Sequence, residues 1–451
     1  MTSASSSSPA SSSPASAPVS SAPAFGEEPA LSAATQNEGV PSPAGLAAGP
    51  AVVEDPFFIK PPDLPTQIGP LGVRFDFNDG ARVWLPRGSW HVQIEDFESG
   101  NILFACDADE GWVVSSKKFF VLFAIKIWVR GDTAPIVDHV MNLRDRPVLI
   151  KFPVGTLGDL IGWFPYAEKF LAKHGCVLEC ALGRELVDIF SAQYPAMRLS
   201  VPQEVRTLAP YASFRIGLFF GGNKNDQPVD FRMVGLHRTA GHILGVDPAE
   251  EPPRLALDIP RRIVESYVCI ATKSSCQAKF WNNGHGWNAV VAYLRALGYR
   301  VLAIDREATV GMSFTWNQIP HEAEDFTGHL ALTERIALLR HADFFIGLSS
   351  GLSWLAWACR VPVVLISGFT LPVCEFNTPY RVFSPHGCNG CWDDITLNFD
   401  HRDFFWCPRQ KGTERQYECS RLITGKQVIG HVERLLKDRG IVAPKERGER
   451  R

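Results

Sequence analysis

The chain has 451 residues, with 45 Lys and Arg against 48 Asp and Glu, and 45% of its residues are hydrophobic. A net charge of −3 on this length excludes a protein that binds nucleic acid or anionic lipid through an overall cationic field. The composition also excludes collagen-like, coiled-coil and wholly disordered chains, and the length predicts two or three domains. The 29 Phe and 12 Trp can fill large cores and leave some rings for an assembly surface.

The N-terminal residues carry no recognisable targeting signal. Residues 1–52 are rich in Ser, Pro and Ala, and this low complexity predicts a disordered tail. They contain no basic residue, so they match neither a secretory signal nor a mitochondrial transit peptide. No stretch of the chain supplies the roughly 20 apolar residues that span a bilayer. We therefore expect a cytoplasmic protein without membrane insertion.

Residues 53–145 contain short β-type runs that are separated by turn signals. Asn78-Asp79-Gly80, for example, lies between the predicted strands 73–77 and 82–85, and Asn-Asp-Gly is typical of a hairpin turn. Further strands are predicted over 90–95, 102–105 and 119–129. The pattern predicts a β-rich N-terminal domain.

From Pro147 onward, apolar strands alternate with helical segments, which predicts parallel sheets covered by helices. One α/β unit is predicted over 146–262 and a second over 263–384, as two Rossmann-like lobes. The predicted strands are 148–153, 177–181, 213–220, 266–271, 300–304, 344–347 and 363–366. The predicted helices are 160–174, 185–194, 231–244, 287–297, 334–340 and 352–359. A last helix, 426–437, and a tail occupy 422–451, and a ligand is expected in the cleft between the lobes.

The first candidate site is the turn Gly155-Thr156-Leu157-Gly158-Asp159, which directly follows a predicted strand. Two glycines allow a sharp turn, and Asp159 stands at or just before the start of the next helix. A carboxylate in that position can cap the helix by accepting hydrogen bonds from its free N–H groups. It can equally face the cleft as a catalytic base, and the spacing alone leaves both interpretations open.

The second candidate site is the loop after strand 266–271. Its hydroxyls and ammonium groups, those of Thr272, Lys273, Ser274 and Lys279, are the groups that hold a phosphate in folds of this class. The spacing of a Walker motif is absent. A solvated polar loop with ordinary surface lysines is the alternative. Asp305, which follows the next strand, could contact a nucleoside.

The third candidate site is the turn between strand 344–347 and the apolar helix 352–359. Small and hydroxyl residues at a helix N-terminus expose N–H groups that suit a diphosphate. The chain has no glycine-rich dinucleotide fingerprint, so a nicotinamide or flavin enzyme is not expected. A tight turn without a ligand remains the alternative. The candidate residues are Gly347, Ser349, Ser350, Gly351, Leu352 and Ser353.

Four cysteines cluster in residues 385–421, with the spacing Cys388-x2-Cys391-x15-Cys407-x11-Cys419. Four thiolates can surround one structural metal ion, and the polar sequence between them predicts a segment that needs such a cross-link. Zinc is the default choice from the ligand chemistry. Free thiols or a redox pair are the alternatives, and no open coordination position for metal catalysis is implied.

Together these motifs resemble a known family. Gly158-Asp159 with Pro165, the Lys279-x-Trp281 pair and the turn 350–353 resemble the ADP-heptose glycosyltransferases of the GT-B fold. The β-rich front domain and the four-cysteine segment resemble a narrower group, the bacterial autotransporter heptosyltransferases, which O-heptosylate serines of autotransporter passenger domains. The resemblance covers about residues 55–440 and leaves the Ser/Pro/Ala tail outside it.

The resemblance implies a role for each candidate residue. Asp159 would be the catalytic base that removes the proton of the acceptor serine, and Lys279 would neutralise the leaving diphosphate. The turn 349–353 and Gly347 would bind the donor, with help from Thr272 and Ser274. The resemblance also implies iron in the four-cysteine metal finger, no catalytic metal, and homo-oligomeric assembly into large rings.

We therefore expect an α/β protein with a GT-B-type pair of Rossmann-like lobes that transfers heptose from ADP-heptose to passenger serines. A transferase of the same fold that uses another nucleotide sugar or acceptor is one alternative. The other is a non-enzymatic scaffold, in which a degenerate transferase body and the metal finger mediate assembly. The presence of Asp159, Lys279 and the turn 350–353 at strand ends speaks against a scaffold.

Overall fold

The computed structural model describes residues 59–153, 157–221, 223–255, 258–312 and 315–449. The predicted tail lies outside these described residues, as do Gly155 and Thr156 of the first candidate turn. We call residues 59–255 the N-terminal lobe and residues 258–449 the C-terminal lobe. Among the described residues, none of the helices has both the length and the apolar character that a membrane span requires.

The N-terminal lobe contains two sheets and four helices among its described residues. Its strands are β1 (Gln67–Ile68), β2 (Arg74–Asn78), β3 (Arg82–Leu85), β4 (Trp90–Asp96), β5 (Asn101–Ala108), β6 (Gly111–Val114), β7 (Phe123–Val129), β8 (Val137–Val140), β9 (Pro147–Lys151), β10 (Val177–Ala181), β11 (Arg198–Ser200) and β12 (Ala212–Arg215). Its helices are α1 (Leu157–His174), α2 (Arg184–Phe190), α3 (Phe231–Val234) and α4 (Arg238–Leu244).

The larger sheet has the strand order β11-β10-β9-β12-β2-β3-β6, with β1 beside β2. The strands from β11 to β2 are parallel, and β3 and β6 are added antiparallel. The hairpin predicted at Asn78-Asp79-Gly80 is present, since β2 pairs with β3 and Gly80 adopts a φ of 97°. Strands from both sides of residue 145 therefore belong to one sheet, and the predicted β-rich segment supplies its antiparallel edge.

The smaller sheet is antiparallel, with the order β5-β4-β7-β8. The central strand β4 alternates between buried and partly exposed residues, as expected for a sheet with one face on the core. Val92 and Ile94 of β4 and Ile125 and Ile127 of β7 are fully buried. This sheet shares its core with the larger sheet.

The C-terminal lobe is a second α/β unit. Its strands are β13 (Tyr267–Ile270), β14 (Arg300–Ala303), β15 (Thr309–Met312), β16 (Thr315–Gln318), β17 (Glu324–Asp325), β18 (Phe345–Leu348), β19 (Val363–Ile366) and β20 (Arg381–Val382). Its helices are α5 (Gly286–Ala296), α6 (Leu332–Arg340), α7 (Gly351–Ala358), α8 (Glu418–Arg421), α9 (Gly425–Arg439) and α10 (Pro444–Glu449).

Six of these strands form a fully parallel sheet in the order β17-β14-β13-β18-β19-β20. Strands β13, β18 and β19 are buried at every position, which is the pattern of a sheet with helices on both faces. Helix α9, which corresponds to the predicted helix 426–437, begins with a capping box between Thr424 and Gln427 and packs back on this sheet. The short helix α10 that follows it was predicted as part of a tail. The remaining pair, β15 and β16, is an antiparallel hairpin that the sequence pattern did not predict.

The predicted helix 231–244 is wrong as one element, because it is divided into α3 and α4. Gly235 between them has a φ of 100°, and a Cβ atom at this position would lie 2.1 Å from the carbonyl oxygen of Val373 in the C-terminal lobe. Only glycine allows both this backbone conformation and this close approach of the two lobes. The break between α3 and α4 is therefore part of the contact between the two lobes: it allows the backbone of Val373 to approach Gly235.

Polar contacts also join the lobes. The Nε2 atom of His237 is hydrogen-bonded to Oε2 of Glu250 at 3.0 Å, and the backbone N–H of Asn377 donates to the same carboxylate at 3.0 Å. The guanidinium of Arg232 donates to the carbonyl of Leu397 at 2.9 Å. These bonds tie α3 and α4 to the C-terminal lobe beside the candidate site.

Candidate active site

Asp159 lies in the first turn of α1, which begins at Leu157. Its side chain is partly buried, whereas Gly158 and Leu160 on either side are buried. A carboxylate in the first turn of a helix is stabilised by the positive end of the helix dipole. The helix thus begins two residues before Asp159, and it carries the carboxylate at its N-terminus.

The turn between β18 and α7 presents the second helix N-terminus. Ser350 is the N-cap of α7, but its side chain makes no capping hydrogen bond. Its Oγ atom is buried and has no hydrogen-bond partner among the described residues. The hydroxyl of Ser353, in contrast, donates to the carbonyl of Leu348 at 2.5 Å and so closes the turn. Ser350 therefore holds a free hydroxyl next to the uncapped amides of α7, which suits an anionic ligand.

The N-termini of α1 and α7 meet at the border of the two lobes. A Cβ atom at Gly351 would lie 3.4 Å from the backbone nitrogen of Gly158. A Cβ atom at Gly158 would lie 2.6 Å from Cδ1 of Trp354, one turn into α7. Since Asp159 follows Gly158 and Ser350 precedes Gly351, the carboxylate and the free hydroxyl belong to the same junction.

The loop after β13 is anchored by Asp305, which lies two residues after the end of β14. Asp305 is 1% exposed, and its carboxylate accepts hydrogen bonds from the backbone N–H groups of Thr272, at 2.8 Å, and Lys273, at 2.9 Å. The hydroxyl of Thr272 donates to the same carboxylate at 3.1 Å. Asp305 thus shapes the loop, and burial raises its pKa against the opposing effect of these hydrogen bonds.

The loop carries two lysines in different surroundings. Burial lowers the pKa of Lys273 to about 8, although the carboxylate of Asp305 acts in the opposite direction. Lys279 ends a short 3-10 turn, and its ammonium lies over the rings of Phe369, at 5.5 Å, and Trp392, at 5.4 Å. Trp281, which follows Lys279 closely in the chain, is buried and donates from Nε1 to the carbonyl of Ile423 at 2.9 Å.

Not every candidate residue faces the junction. Gly347 lies inside β18, where a Cβ atom would come within 2.4 Å of the ring of Phe345, so this glycine serves the packing. Ser274, in the loop after β13, and Leu352, in the first turn of α7, are both partly buried. Because β13 and β18 are neighbouring parallel strands, the loops that follow them lie at the same edge of the sheet. The candidate donor-binding residues are therefore close together along that edge.

Two family models match the chain. Residues 69–131 match the N-terminal domain of glycosyltransferase TibC, and residues 239–381 match glycosyltransferase family 9 (heptosyltransferase). The autotransporter heptosyltransferase TibC of Escherichia coli O78:H11 (strain H10407 / ETEC) is 60% identical over 401 residues, which cover 88% of this chain and 99% of TibC. The chain belongs to the autotransporter heptosyltransferase family. The family resemblance of the sequence motifs is thereby confirmed.

A solved structure of TibC and one further relative of this heptosyltransferase family are informative. A solved structure of TibC, described as a dodecameric iron-containing heptosyltransferase in complex with ADP-D-beta-D-heptose, is 62% identical with a TM-score of 0.83 and covers 84% of this chain and 100% of that one. BimC of Burkholderia thailandensis, described as an inactive autotransporter heptosyltransferase, is 42% identical over 82% of this chain and 88% of its own length. This glycosyltransferase family therefore includes a member that is described as inactive.

The four cysteines that the family resemblance associates with iron lie near one another. Burial raises the pKa of Cys419 to about 12, and the negative charges of the Cys388, Cys391 and Cys407 thiolates add to this effect. Burial and the neighbouring thiolates likewise raise the pKa of Cys388 to about 11. Even so, the described residues contain no group of three or more His, Cys, Asp or Glu side chains arranged as a metal site. The metal finger thus remains a prediction at these four positions.

The sequence pattern missed the residues that surround the candidate side chains. Trp354 lies in a helix that was predicted only as apolar. The one sequence feature that pointed to its contact with Gly158 was a second glycine, Gly162, one turn later in α1. Phe369 and Trp392 lie in segments where no element was predicted. For the contact of Lys279 with Trp392, the only sequence signal was that this aromatic residue directly follows Cys391.

Proposed function

We propose that the chain transfers heptose from ADP-heptose to serine hydroxyls of an autotransporter passenger polypeptide. The observation that carries this proposal is the junction of α1 and α7, where the helix N-terminus that carries Asp159 in one lobe contacts the helix N-terminus that carries Ser350 in the other. Glycosyl transfer needs a base beside the acceptor and stabilised negative charge on the leaving group, and these two helix N-termini offer both.

In the proposed reaction, Asp159 accepts the proton of the acceptor serine while the serine oxygen bonds to the anomeric carbon of the heptose. The bond from that carbon to the β-phosphate oxygen breaks, and ADP leaves with the electron pair. The negative charge that develops on the diphosphate is stabilised by Lys279 and by the amides at the N-terminus of α7. No metal ion takes part in these steps.

The donor site comprises the two loops at one edge of the parallel sheet. The hydroxyl of Ser350 has no hydrogen-bond partner among the described residues and lies at the N-terminus of α7, which supports a place for Ser350 in the donor site. Thr272 contributes through its hydroxyl oxygen, which still has an accepting lone pair while its proton is donated to Asp305. The proposed donor-binding residues are Thr272, Ser274, Lys279, Ser349, Ser350, Gly351, Leu352 and Ser353, whereas Gly347 supports the site only through its packing inside β18.

We also propose that Cys388, Cys391, Cys407 and Cys419 hold one structural iron ion, with zinc as the alternative. Four mutually close thiols in one segment are a donor set that suits either metal. When bound, the ion would cross-link a segment whose described residues between Val382 and Glu418 form no helix or strand. Its contribution would be to fold stability rather than to the chemistry.

Assembly and location are two further proposals. TibC is described as a dodecamer, and we propose that this chain also forms a large homo-oligomer. We place the reaction in the cytoplasm, before export of the passenger. From the domain division predicted from the sequence we keep, as a proposal, the lobe border between 262 and 263, the cysteine segment at 385–421, and the C-terminal helix and tail at 422–451. The predicted lobe 146–262 shares one sheet with the β-rich segment before it.

A scaffold without activity is the second candidate, and the relative described as inactive is the observation that favours it. The deciding experiment is co-expression of the chain with a passenger fragment, followed by intact mass spectrometry of the fragment. Transfer predicts a mass gain of one or more heptose units, and none with the Asp159→Asn variant. An unmodified passenger despite a folded, ADP-binding chain would favour the scaffold. Replacing ADP-heptose by another nucleotide sugar in a purified assay tests the donor.

A further inference from the structure

The ammonium of Lys279 faces aromatic rings rather than an acid. It lies 5.5 Å from the ring centre of Phe369 and 5.4 Å from that of Trp392, and no ion pair of Lys279 occurs among the described residues. We propose that Phe369 and Trp392 are positioning residues that hold Lys279 for the donor diphosphate. This inference rests on the function proposed above for Lys279.

The two rings hold the charge without neutralising it. A ring face attracts a cation through its quadrupole and carries no net charge of its own. A carboxylate in the same place would cancel the charge that the leaving diphosphate needs. The attraction of the rings is also weaker than that of a diphosphate, so that the ammonium can exchange one for the other. The arrangement therefore keeps Lys279 both located and available.

The two rings lie at the border of the lobes, where the donor is expected. The ring of Trp392 is 5.8 Å from that of Phe220 and 6.1 Å from that of Phe231, and both of these belong to the N-terminal lobe. Phe369 follows β19 and is 5.7 Å from Trp392. Lys279 therefore lies beside rings at the border of the two lobes.

The cysteine segment, residues 385–421, supplies one of the two rings and also binds the loop of Lys279. Trp392 directly follows Cys391. The backbone N–H of Gln277 donates to the carbonyl of Phe404 at 2.8 Å, and Nδ2 of Asn282 donates to Oγ of Ser420 at 2.8 Å. The segment thus contacts the loop on both sides of Lys279. We infer that its role in the reaction is to place this lysine.

Trp392→Leu removes the ring, and Trp406→Leu is its matched control. Trp406 lies in the same segment and aromatic cluster and is 6% exposed, against 7% for Trp392, but the ammonium of Lys279 does not lie over its ring. We expect Trp392→Leu to weaken ADP binding and to lower kcat by about tenfold each, and Trp406→Leu to change either by about twofold at most. Trp392→Phe, which keeps a ring face, should restore most of the loss.

A second measurement follows Lys279 directly. Acetylation with acetic anhydride, analysed by peptide mass spectrometry, compares the labelling rate of Lys279 with that of Lys273 in the same sample. Trp392→Leu should increase the relative rate of Lys279 by several fold, and ADP should protect it in the unsubstituted chain. Phe369→Leu provides a second test of the rings if Trp392→Leu does not fold.

Metal content by elemental analysis accompanies each variant, so that a collapsed cysteine segment is recognised. Equal weakening of ADP binding by Trp392→Leu and Trp406→Leu, at unchanged metal content, would overturn the positioning role. An unchanged labelling rate of Lys279 in Trp392→Leu would do the same. Lys279→Met separates the two proposals, because full ADP binding and turnover in that variant would remove the function proposed for Lys279 itself.

Discussion

The indole of Trp354 packs on Gly158, the residue before Asp159, so closely that a Cβ atom on this glycine would lie 2.6 Å from Cδ1 of the indole. A second glycine, Gly162, faces the same indole one turn later, where a Cβ atom would lie 3.1 Å from Cζ3. His237 packs on the indole at 5.4 Å between ring centres. Because Gly158 and Gly162 have no side chains, the N-terminus of α1, which carries the proposed base Asp159, can lie close to α7.

Gly158→Ala should therefore move the two helix N-termini apart. The added methyl group cannot fit against the indole, and overpacking of this kind costs about 1–3 kcal/mol of the free energy of unfolding. A shift of the base relative to the donor should lower kcat by about 10- to 100-fold, with a smaller change in the KM for ADP-heptose. Thermal unfolding and steady-state kinetics measure both effects.

Gly430→Ala is the matched control for this substitution. Gly430 is exposed on α9, and a Cβ atom there would meet nothing within 4 Å. Alanine should stabilise that helix by about 0.5–1 kcal/mol and leave kcat unchanged. A normal kcat in Gly158→Ala would show that the contact with Trp354 does not determine the position of Asp159.

Many of the strands, and their order along the chain, were predictable from local patterns. The bounds of β3, β10 and β19 coincide with the predicted strands, because each is a short β-type run between turn residues. Parallel pairing also placed the loops after β13 and β18 at one edge. These predictions rest on side-chain periodicity and on the connection rules of α/β folds, which are local properties of the chain.

The contacts that complete the site were not predictable in the same way. Thr272 was expected to face the donor, but β13 and β14 are neighbours and end together, so its hydroxyl donates to the buried Asp305. The break at Gly235 depends on the carbonyl of Val373, which is far away in the chain. Such contacts depend on the relative position of distant segments, about which periodicity carries no information.

Asp159→Asn tests the base directly. The amide keeps the size of the side chain but cannot accept the serine proton, so we expect turnover of the passenger to fall by about 10²- to 10⁴-fold. The Kd for ADP, measured by calorimetry, should change by about twofold at most, because the diphosphate is held by the other lobe. Undiminished turnover would assign Asp159 to helix capping alone.

The lowered pKa of Lys273 predicts that ADP binding depends on pH. Burial lowers its pKa to about 8, so its ammonium is charged below that pH and neutral above it. If Lys273 contacts the diphosphate, the affinity for ADP should fall as the pH rises through about 8. Calorimetry at several pH values checks this, and Lys273→Arg should remove the dependence because the guanidinium remains charged.

The same lysine affects the free energy of unfolding in the opposite direction: its contribution rises with pH, whereas the affinity for ADP falls. In the unfolded chain its pKa returns to the ordinary lysine value of 10.5, so between about pH 8 and pH 10.5 the unfolded state binds more protons than the folded state. This lysine's contribution to the free energy of unfolding therefore increases with pH across that window.

A pH dependence of ADP affinity that persists in Lys273→Arg would assign the effect on binding to another group.

Cys391→Ser tests the four-cysteine metal site. Removal of one of four thiolate ligands should reduce the metal content, and the unfolding temperature of the chain should fall with it, because the segment 385–421 contains little regular structure to order it. Cys106→Ser is the control, since Cys106 is a partly exposed cysteine in β5, outside that segment. It should keep the metal and the unfolding temperature. Equal metal content in the two variants by elemental analysis would rule out Cys391 as a ligand.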